Sequence, residues 1–381
     1  MKIRIGLIAI LLTLAAQLAF AEKPETDGVQ TKSFQVSKGG LLEVSVSVGD
    51  IVIISWEKNE VFIRAAGIDQ DEVENLRMEQ TGNTVRVAYR PEWGESFHTQ
   101  FMINVPGEFN TDLSTAGGDI QIQGTLKGNL DGSTSGGDIQ LGDVNGKVDM
   151  STSGGDVLAG KVNGTVLLHT SGGDIKVTSS TGDVEVTTSG GDIVVGNVEK
   201  SLIAKTSGGD VSIGDVGGEA TVSTAGGDIQ IGRVTGSATI KTAGGDIELK
   251  GGNGTIKAKT AGGDVSLENI SGSVEASTAG GDVVAQLRPS GTGKSRLSSS
   301  GGELVLYIPE NAKATIEALI DIRGRWHPDE EEYEIVSDFK SQNYTEDKES
   351  KEIRATYVLN GGGKMILLET INGNITIRAL K

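Results

Sequence analysis

Cysteine is absent from this chain of 381 residues, and proline, histidine and aromatic residues are scarce. Without cysteine the chain forms no disulfide and offers no thiol nucleophile, zinc–thiolate site or iron–sulfur site. With only 7 Phe, 3 Trp and 5 Tyr, a core has to be built mainly from Val, Ile, Leu and Ala. The 6 prolines and the lack of a G-X-Y period exclude collagen, although Gly is abundant at 56 residues.

The first 21 residues have the pattern of a signal peptide. Lys2 and Arg4 precede an apolar run over 5–18, and Ala-Phe-Ala at 19–21 is a small-x-small cleavage site. The run is too short to span a membrane. We therefore predict an exported protein in the periplasm, on the cell surface or outside the cell. The net charge of −18 argues against a nucleic-acid partner.

A repeated pentapeptide dominates the middle of the chain. Thr-[Ser/Ala]-Gly-Gly-Asp followed by Ile or Val occurs ten times. Its aspartates are Asp119, Asp138, Asp156, Asp174, Asp192, Asp210, Asp228, Asp246, Asp264 and Asp282. The first interval is 19 residues and the other eight are 18. So strict a period is typical of a solenoid, in which identical coils stack on one another.

The pattern within one repeat predicts the path of each coil. With Asp138 as position 1, the apolar positions are 2, 4, 7, 11 and 13, and position 15 is Thr. Spacings of two indicate β-strands. Gly at position 9 and the Gly pair at 17 and 18 mark corners that need positive φ or a close backbone approach. The fold prediction is an all-β, parallel β-solenoid of about 18 residues per coil, with the right-handed form favoured. A left-handed helix of three hexapeptides per turn stays open.

The flanks are predicted to be degenerate coils that cap the solenoid. The expected organisation is a signal peptide at 1–21, an N-terminal β capping region at 22–110, regular repeats at 111–305 and a C-terminal region at 306–381. A charged excursion near 324–350 interrupts the last region. Residues 69–78 are the one segment of the mature chain for which we expect a short helix.

The chain also resembles a known family through motifs inside and outside the repeats. The motifs, besides the repeats themselves, are Phe34-x-Val36, Gly39-Gly40, Gly49-Asp50-Ile51, Ile103-x-Val105-Pro106, and Leu359-Asn360-Gly361-Gly362-Gly363-Lys364 leading to Asn372-Gly373-Asn374-Ile375. They resemble the adhesin family of exported bacterial β-helical proteins. The resemblance implies an exported β-helix with an adhesive or envelope-structural role and no catalytic residues. Asn374 replaces the repeated Asp, which puts a carboxylate-dependent function in that coil in doubt.

The repeated aspartates are the candidate metal site. In stacked coils the nine from Asp138 to Asp282 form a column at roughly 5 Å spacing, where like charges repel. One interpretation is a row of Ca²⁺ ions, for which carboxylates are suitable ligands. The favoured interpretation is structural, with each Asp accepting N–H groups at the Gly corner. No other cofactor is expected.

Two columns of side chains follow from the strand alternation. The Thr at position 15, from Thr152 onward, is predicted to face the core, where stacked hydroxyls bond one another. The less favoured alternative is a Thr surface that recognises ice or polysaccharide. Position 14 points outward and carries His169, Lys205, Lys241 and Lys259, a partly basic strip that either contacts an anionic glycan or discourages aggregation.

No catalytic residues are predicted. His98, His169 and His327 are far apart and form no metal-binding motif. The leading hypothesis is a non-enzymatic exported β-solenoid that acts as an adhesin or envelope structural protein. Its partner would be a glycan or protein of the envelope or cell surface, or a second copy. The alternative is a carbohydrate-active β-helical enzyme. Such an enzyme needs a substrate cleft, and the regular coils leave no room for loops that would form one. Only the excursion, with Asp329 to Glu332, could form the side of a cleft.

Overall fold

The computed structural model describes residues 28–91, 99–290, 293–323 and 333–380. In these ranges the regular structure is β-strand except for one 3₁₀ turn, Val73–Asn75. The helix expected over 69–78 is therefore wrong. Leu76 already begins a strand that pairs with Thr84–Tyr89, so the apolar residues at its end serve the sheet.

The strands are numbered in chain order. The N-terminal strands are β1 (Gln30–Gln35), β2 (Gly40–Val46), β3 (Asp50–Trp56), β4 (Glu60–Ala66), β5 (Leu76–Thr81), β6 (Thr84–Tyr89) and β7 (Gln100–Pro106). The first regular strands are β8 (Phe109–Ser114), β9 (Ile120–Lys127), β10 (Leu130–Ser133), β11 (Ile139–Asn145), β12 (Val148–Ser151), β13 (Val157–Val162), β14 (Val166–His169), β15 (Ile175–Ser180), β16 (Val184–Thr187), β17 (Ile193–Val198) and β18 (Leu202–Lys205).

The remaining strands complete the repeats and the C-terminal region. The repeats continue with β19 (Val211–Ile213), β20 (Ala220–Ser223), β21 (Ile229–Val234), β22 (Ala238–Lys241), β23 (Ile247–Gly252), β24 (Thr255–Lys259), β25 (Val265–Ser277), β26 (Val283–Pro289), β27 (Ser295–Ser299) and β28 (Leu304–Pro309). The last strands are β29 (Ala314–Asp321), β30 (Ile335–Ser337), β31 (Asn343–Asp347), β32 (Glu352–Leu359), β33 (Lys364–Ile371) and β34 (Ile375–Leu380).

Each regular coil contributes one strand to each of two parallel ladders. Odd-numbered strands from β9 to β23 form ladder A, and even-numbered strands from β8 to β24 form ladder B. The register advances by one coil, as in Ile139 opposite Val157 and Val148 opposite Val166. The long strand β25 pairs in both ladders. The predicted parallel β-solenoid is confirmed, whereas its handedness stays a prediction.

The core lies between the ladders and follows the predicted alternation. Positions 2, 4, 11 and 13 of the coils are buried, as shown by Ile139, Leu141, Val148 and Met150. Burying each such side chain contributes about 1.5–3 kcal/mol. The largest buried rings, Tyr89, Phe101 and Phe109, lie in the N-terminal region. The narrow interior of the regular coils is thus filled by aliphatic side chains.

The coils at both ends do not stack in chain order. The β2–β3 coil lies directly against β8–β9, and β6–β7 lies beyond it. At the other end β33–β34 lies against β27–β28, and β29–β30 lies beyond. Antiparallel strands complete the ends, with β4 on β7, β1 on β4, β5 on β6, β32 on β29 and β31 on β32. These outer strands cover the parallel edges that a solenoid otherwise exposes.

Candidate functional site

The Gly-Gly-Asp corner stacks backbone on backbone. A Cβ on Gly155, the second Gly of one corner, would lie 2.1 Å from the carbonyl oxygen of Gly137 in the preceding coil. At the equivalent Gly of each of the other corners, from Gly118 to Gly373 along the chain, the same distance between the added Cβ and the carbonyl oxygen is 2.0–2.2 Å. None of these second glycines has φ in the left-handed region. Close approach is therefore what demands Gly here.

The Thr at position 15 links successive coils at this corner. The Thr152 hydroxyl, 3 % exposed, donates to the Gly137 carbonyl at 2.8 Å and accepts the Gly155 N–H at 3.3 Å. The same arrangement recurs from Thr115 to Thr278 and continues with Ser299. The predicted inward orientation is confirmed, so this column is not a recognition surface. The expected hydroxyl-to-hydroxyl bonding is wrong, because each hydroxyl bonds a glycine carbonyl and a glycine N–H instead.

The aspartate column forms a hydrogen-bond ladder between coils. The Asp156 N–H donates to Asp138 Oδ1 at 2.8 Å, and the same bond recurs along the corner at 2.7–3.0 Å. The accepting carboxylates are Asp50, Asp119, Asp138, Asp156, Asp174, Asp192, Asp210, Asp228, Asp246, Asp264 and Asp282. Each Asp thus satisfies the N–H of the next coil rather than one of its own turn.

The ladder changes chemistry at its C-terminal end. Asp282 accepts the Glu303 N–H at 2.7 Å, but the longer Glu303 side chain bonds the Asn374 amide instead, at 3.2 Å. Asn374 Oδ1 accepts the Glu334 N–H at 3.0 Å. The amide therefore keeps the inter-coil bond that Asp makes elsewhere. A polar pocket lined by Asp282, Glu303, Tyr333 and Asn374 lies at this end.

The candidate metal residues are brought together in one column but do not form a cage. From Asp119 to Asp282 the aspartates are exposed, and the bonds described above use Oδ1. Ca²⁺ takes six to eight oxygen ligands. Within the described ranges no three His, Cys, Asp or Glu residues are grouped to hold a metal ion. The calcium column remains a prediction. His169 is exposed on β14, whereas His98 and His327 lie outside the described residues.

The outer face of ladder B carries opposite charges at its two ends. Glu43, Asp112, Asp131 and Asp149 are consecutive partners on β2, β8, β10 and β12. Arg86 pairs with Glu43, and Lys147 lies 2.8 Å from Asp149. Burial, together with the charges of Asp131 and Glu43, raises the pKa of Asp112.

Farther along, the ladder B face becomes basic. Lys205, Lys241, Lys257 and Lys259 point outward from β18, β22 and β24. Glu275 on β25 lies 2.7 Å from Lys259 and 3.8 Å from Lys257. Its hydrogen bond to Lys259 lowers the pKa of Glu275. The strip predicted at position 14 is thus exposed, and Lys257 at position 12 extends it.

The outer face of ladder A presents two exposed apolar side chains among polar and charged ones. Leu158 on β13 and Val194 on β17 are 40 % and 41 % exposed, with Lys176 in register between them. Toward the N-terminal end, Gln121 donates to Gln140 at 3.1 Å. Covering these aliphatic side chains with a partner would remove apolar area from water. Sequence reasoning missed this pair, although position 3 alternates outward in every coil.

The excursion expected near 324–350 is described only from residue 333. Ile335–Ser337 pairs with β34, and Asn343–Asp347 is an exposed strand on β32. Asp329 to Glu332, the wall suggested for a cleft, lie outside the described residues. In the described ranges no helix is long and apolar enough to cross a membrane.

Comparisons with known proteins identify a domain model and several structural likenesses. The model described as Toastrack DUF4097 matches residues 41–214, 164–318 and 196–378. These matches overlap and together span nearly all of the predicted mature chain. No curated protein matches the sequence.

Three solved structures illustrate the likenesses. A "putative adhesin" from Bacteroides fragilis is 20 % identical over 58 % of this chain and 96 % of its own, with a TM-score of 0.37. A "putative adhesin" from Parabacteroides distasonis is 15 % identical over 66 % and 97 %, with a TM-score of 0.33. A "Putative lipid binding protein" from the latter species is 14 % identical over 93 % and 99 %, with a TM-score of 0.22. Scores this low carry no argument about function.

Proposed function

The chain belongs to the Toastrack DUF4097 family, and from this premise we propose that it is an exported, non-enzymatic β-solenoid that binds a component of the cell envelope or cell surface. The family membership confirms the resemblance drawn from the repeats and the ending. Export is supported by the signal-peptide pattern at 1–21. The proposed partner is a glycan or a protein.

One observation carries the proposal: the outer face of ladder A presents two exposed apolar side chains and is not interrupted by loops from β9 to β23. Consecutive strands pair with shifts of 18 or 19 residues, so no insertion shields the surface. Leu158 and Val194 lie on this face with their side chains partly in water. Burying them against a partner removes apolar area from water, which favours association.

The corner supports a scaffold role rather than a catalytic one. The inward Thr hydroxyls and the Asp Oδ1 atoms bond the backbone of neighbouring coils, so the most regular polar groups of the molecule hold the coils together. A carbohydrate-active enzyme needs carboxylates on either side of a bound sugar. On the regular faces the strands pair without insertions that would form such walls. The enzymatic alternative is therefore not favoured.

A binding experiment tests the proposed function. The purified protein is screened against envelope polysaccharides and native envelope extracts, with both binding and turnover measured. We expect binding without turnover, and we expect Leu158→Glu with Val194→Glu to weaken it. The matched control is Thr187→Glu, an outward residue of ladder B. Turnover that disappears when one carboxylate is replaced would overturn the proposal, as would binding that the ladder A substitutions leave unchanged.

A further inference from the structure

The ladder B face has a charge pattern that complements itself. Its acidic half, defined by Asp131, Asp149 and Glu185, lies on β10, β12 and β16. Its basic half, defined by Lys205, Lys241 and the Lys257–Lys259 pair, lies on β18, β22 and β24. The boundary falls between β16 and β18, which are adjacent strands. A face with this pattern attracts another copy of itself when the two run in opposite directions.

From this arrangement we propose that two copies of the chain pack ladder B against ladder B about a two-fold axis. The axis lies along the strand direction between β16 and β18. It places β10 opposite β24, β12 opposite β22, and β16 opposite β18 of the second copy. These three acidic strands, β10, β12 and β16, then each face a basic one, whereas packing in the same direction would bring their like charges together. Such a self-complementary contact is the usual geometry of a homodimer.

Unpaired charges on both halves strengthen the argument. Within the described ranges Asp131, Glu185, Lys205 and Lys241 form no salt bridge, although the face offers both signs. Burial raises the pKa of Asp112, and the neighbouring charges of Asp131 and Glu43 raise it further. Opposite charges brought together across an interface orient the partners and speed their encounter.

The centre and the size of the face suit a dimer. Leu167 and Ile203, both half-buried, lie on β14 and β18 beside the axis, and Thr221 and Ser223 on β20 are uncharged. Ten strands from β8 to β25 at about 4.8 Å, each about 13 Å wide, give about 600 Å² per copy. The total of about 1,200 Å² reaches the lower end of stable protein interfaces.

The proposed dimer is independent of the proposed binding function, because the two use opposite faces. Packing through ladder B leaves the Leu158 and Val194 surfaces exposed on opposite sides of the dimer. A dimer then presents two binding faces and can bridge two envelope components. A monomeric variant is expected to bind one component normally and to lose only the bridging.

A charge-swap experiment tests the dimer. The protein is expressed with its own N-terminal segment, purified, and studied by sedimentation at low and high salt. We expect a dimer that salt weakens. Lys241→Glu alone and Asp149→Lys alone should each raise the dimer dissociation constant about tenfold or more. A one-to-one mixture of the two should restore dimerisation, because residue 149 of each copy again lies near an opposite charge at residue 241, two residues along the facing strand from the position directly opposite.

The matched control is Lys176→Glu on the ladder A face, which should leave the dimer unchanged. Thermal unfolding of every variant separates lost association from lost folding. Three results would overturn the proposal: a protein that is monomeric at all concentrations, a dimer dissociation constant that neither Lys241→Glu nor Asp149→Lys changes, or a mixture of the two variants that does not dimerise. Binding of heparin to a monomer, lost in Lys241→Glu, would show instead that the basic half takes a polyanion.

Discussion

Replacing Gly155 by Ala tests whether close stacking at the corner limits stability. The new Cβ would lie 2.1 Å from the Gly137 carbonyl oxygen, whereas ordinary contact begins at 3.4 Å. Both groups belong to hydrogen-bonded backbone, so neither can turn away as a side chain would. Overpacking of this kind costs about 1–3 kcal/mol. Moving the same carbonyl also weakens its bond from Thr152, for about 1 kcal/mol more. We expect an unfolding free energy lower by about 2–4 kcal/mol.

The adjacent Gly154 provides the matched control. A Cβ there would lie 3.5 Å from the Gly136 carbonyl oxygen, an ordinary contact, and its φ is also outside the left-handed region. Gly154→Ala should therefore stay within about 1 kcal/mol of the wild type, or gain from reduced freedom of the unfolded chain. Urea unfolding followed by circular dichroism gives the comparison. Equal stability of the two variants would refute the stacking argument.

Three further predictions concern the polar columns. Thr188→Val removes a buried hydroxyl that donates to the Gly173 carbonyl, so urea unfolding should show an unfolding free energy lower by about 1–3 kcal/mol. The matched control, Thr187→Val, changes an outward side chain and should alter the unfolding free energy by less than about 0.5 kcal/mol. Burial raises the pKa of Asp112 in the folded protein, so its charged carboxylate destabilises the fold once the pH exceeds the unfolded pKa of about 3.8. Asp112→Asn should therefore raise the melting temperature at pH 7, and this gain should vanish below about pH 3.8. Calorimetry of the metal-free protein should show no Ca²⁺ binding and no melting shift, since Asp Oδ1 atoms already accept backbone N–H groups; binding that Asp228→Asn weakens would instead establish the calcium column.

Much of the regular solenoid was predictable because one local pattern repeats. The apolar spacing around Ile139 predicted short parallel strands in every coil, and the parity of position 15 predicted a buried Thr152. Partners of the hydrogen bonds were less predictable. The Thr hydroxyl donates to a glycine carbonyl, and the Asp Oδ1 accepts the N–H of the Asp in the next coil. These partners depend on the distance between the backbones of neighbouring coils, which the sequence pattern does not give.

The sequence by itself determined the coil, since strand alternation and glycine corners are local and recur every 18 residues in the repeats. Only the tertiary structure decided which coils become neighbours at the ends. Asp50 bonds the N–H of Asp119 across 69 residues because the β2–β3 coil, rather than β6–β7, covers the first regular coil. The same order puts Glu43 beside Asp112 and so extends the acidic half of the ladder B face. Any parallel edge can accept any strand of suitable length, so the order of stacking depends on the packing of the whole molecule.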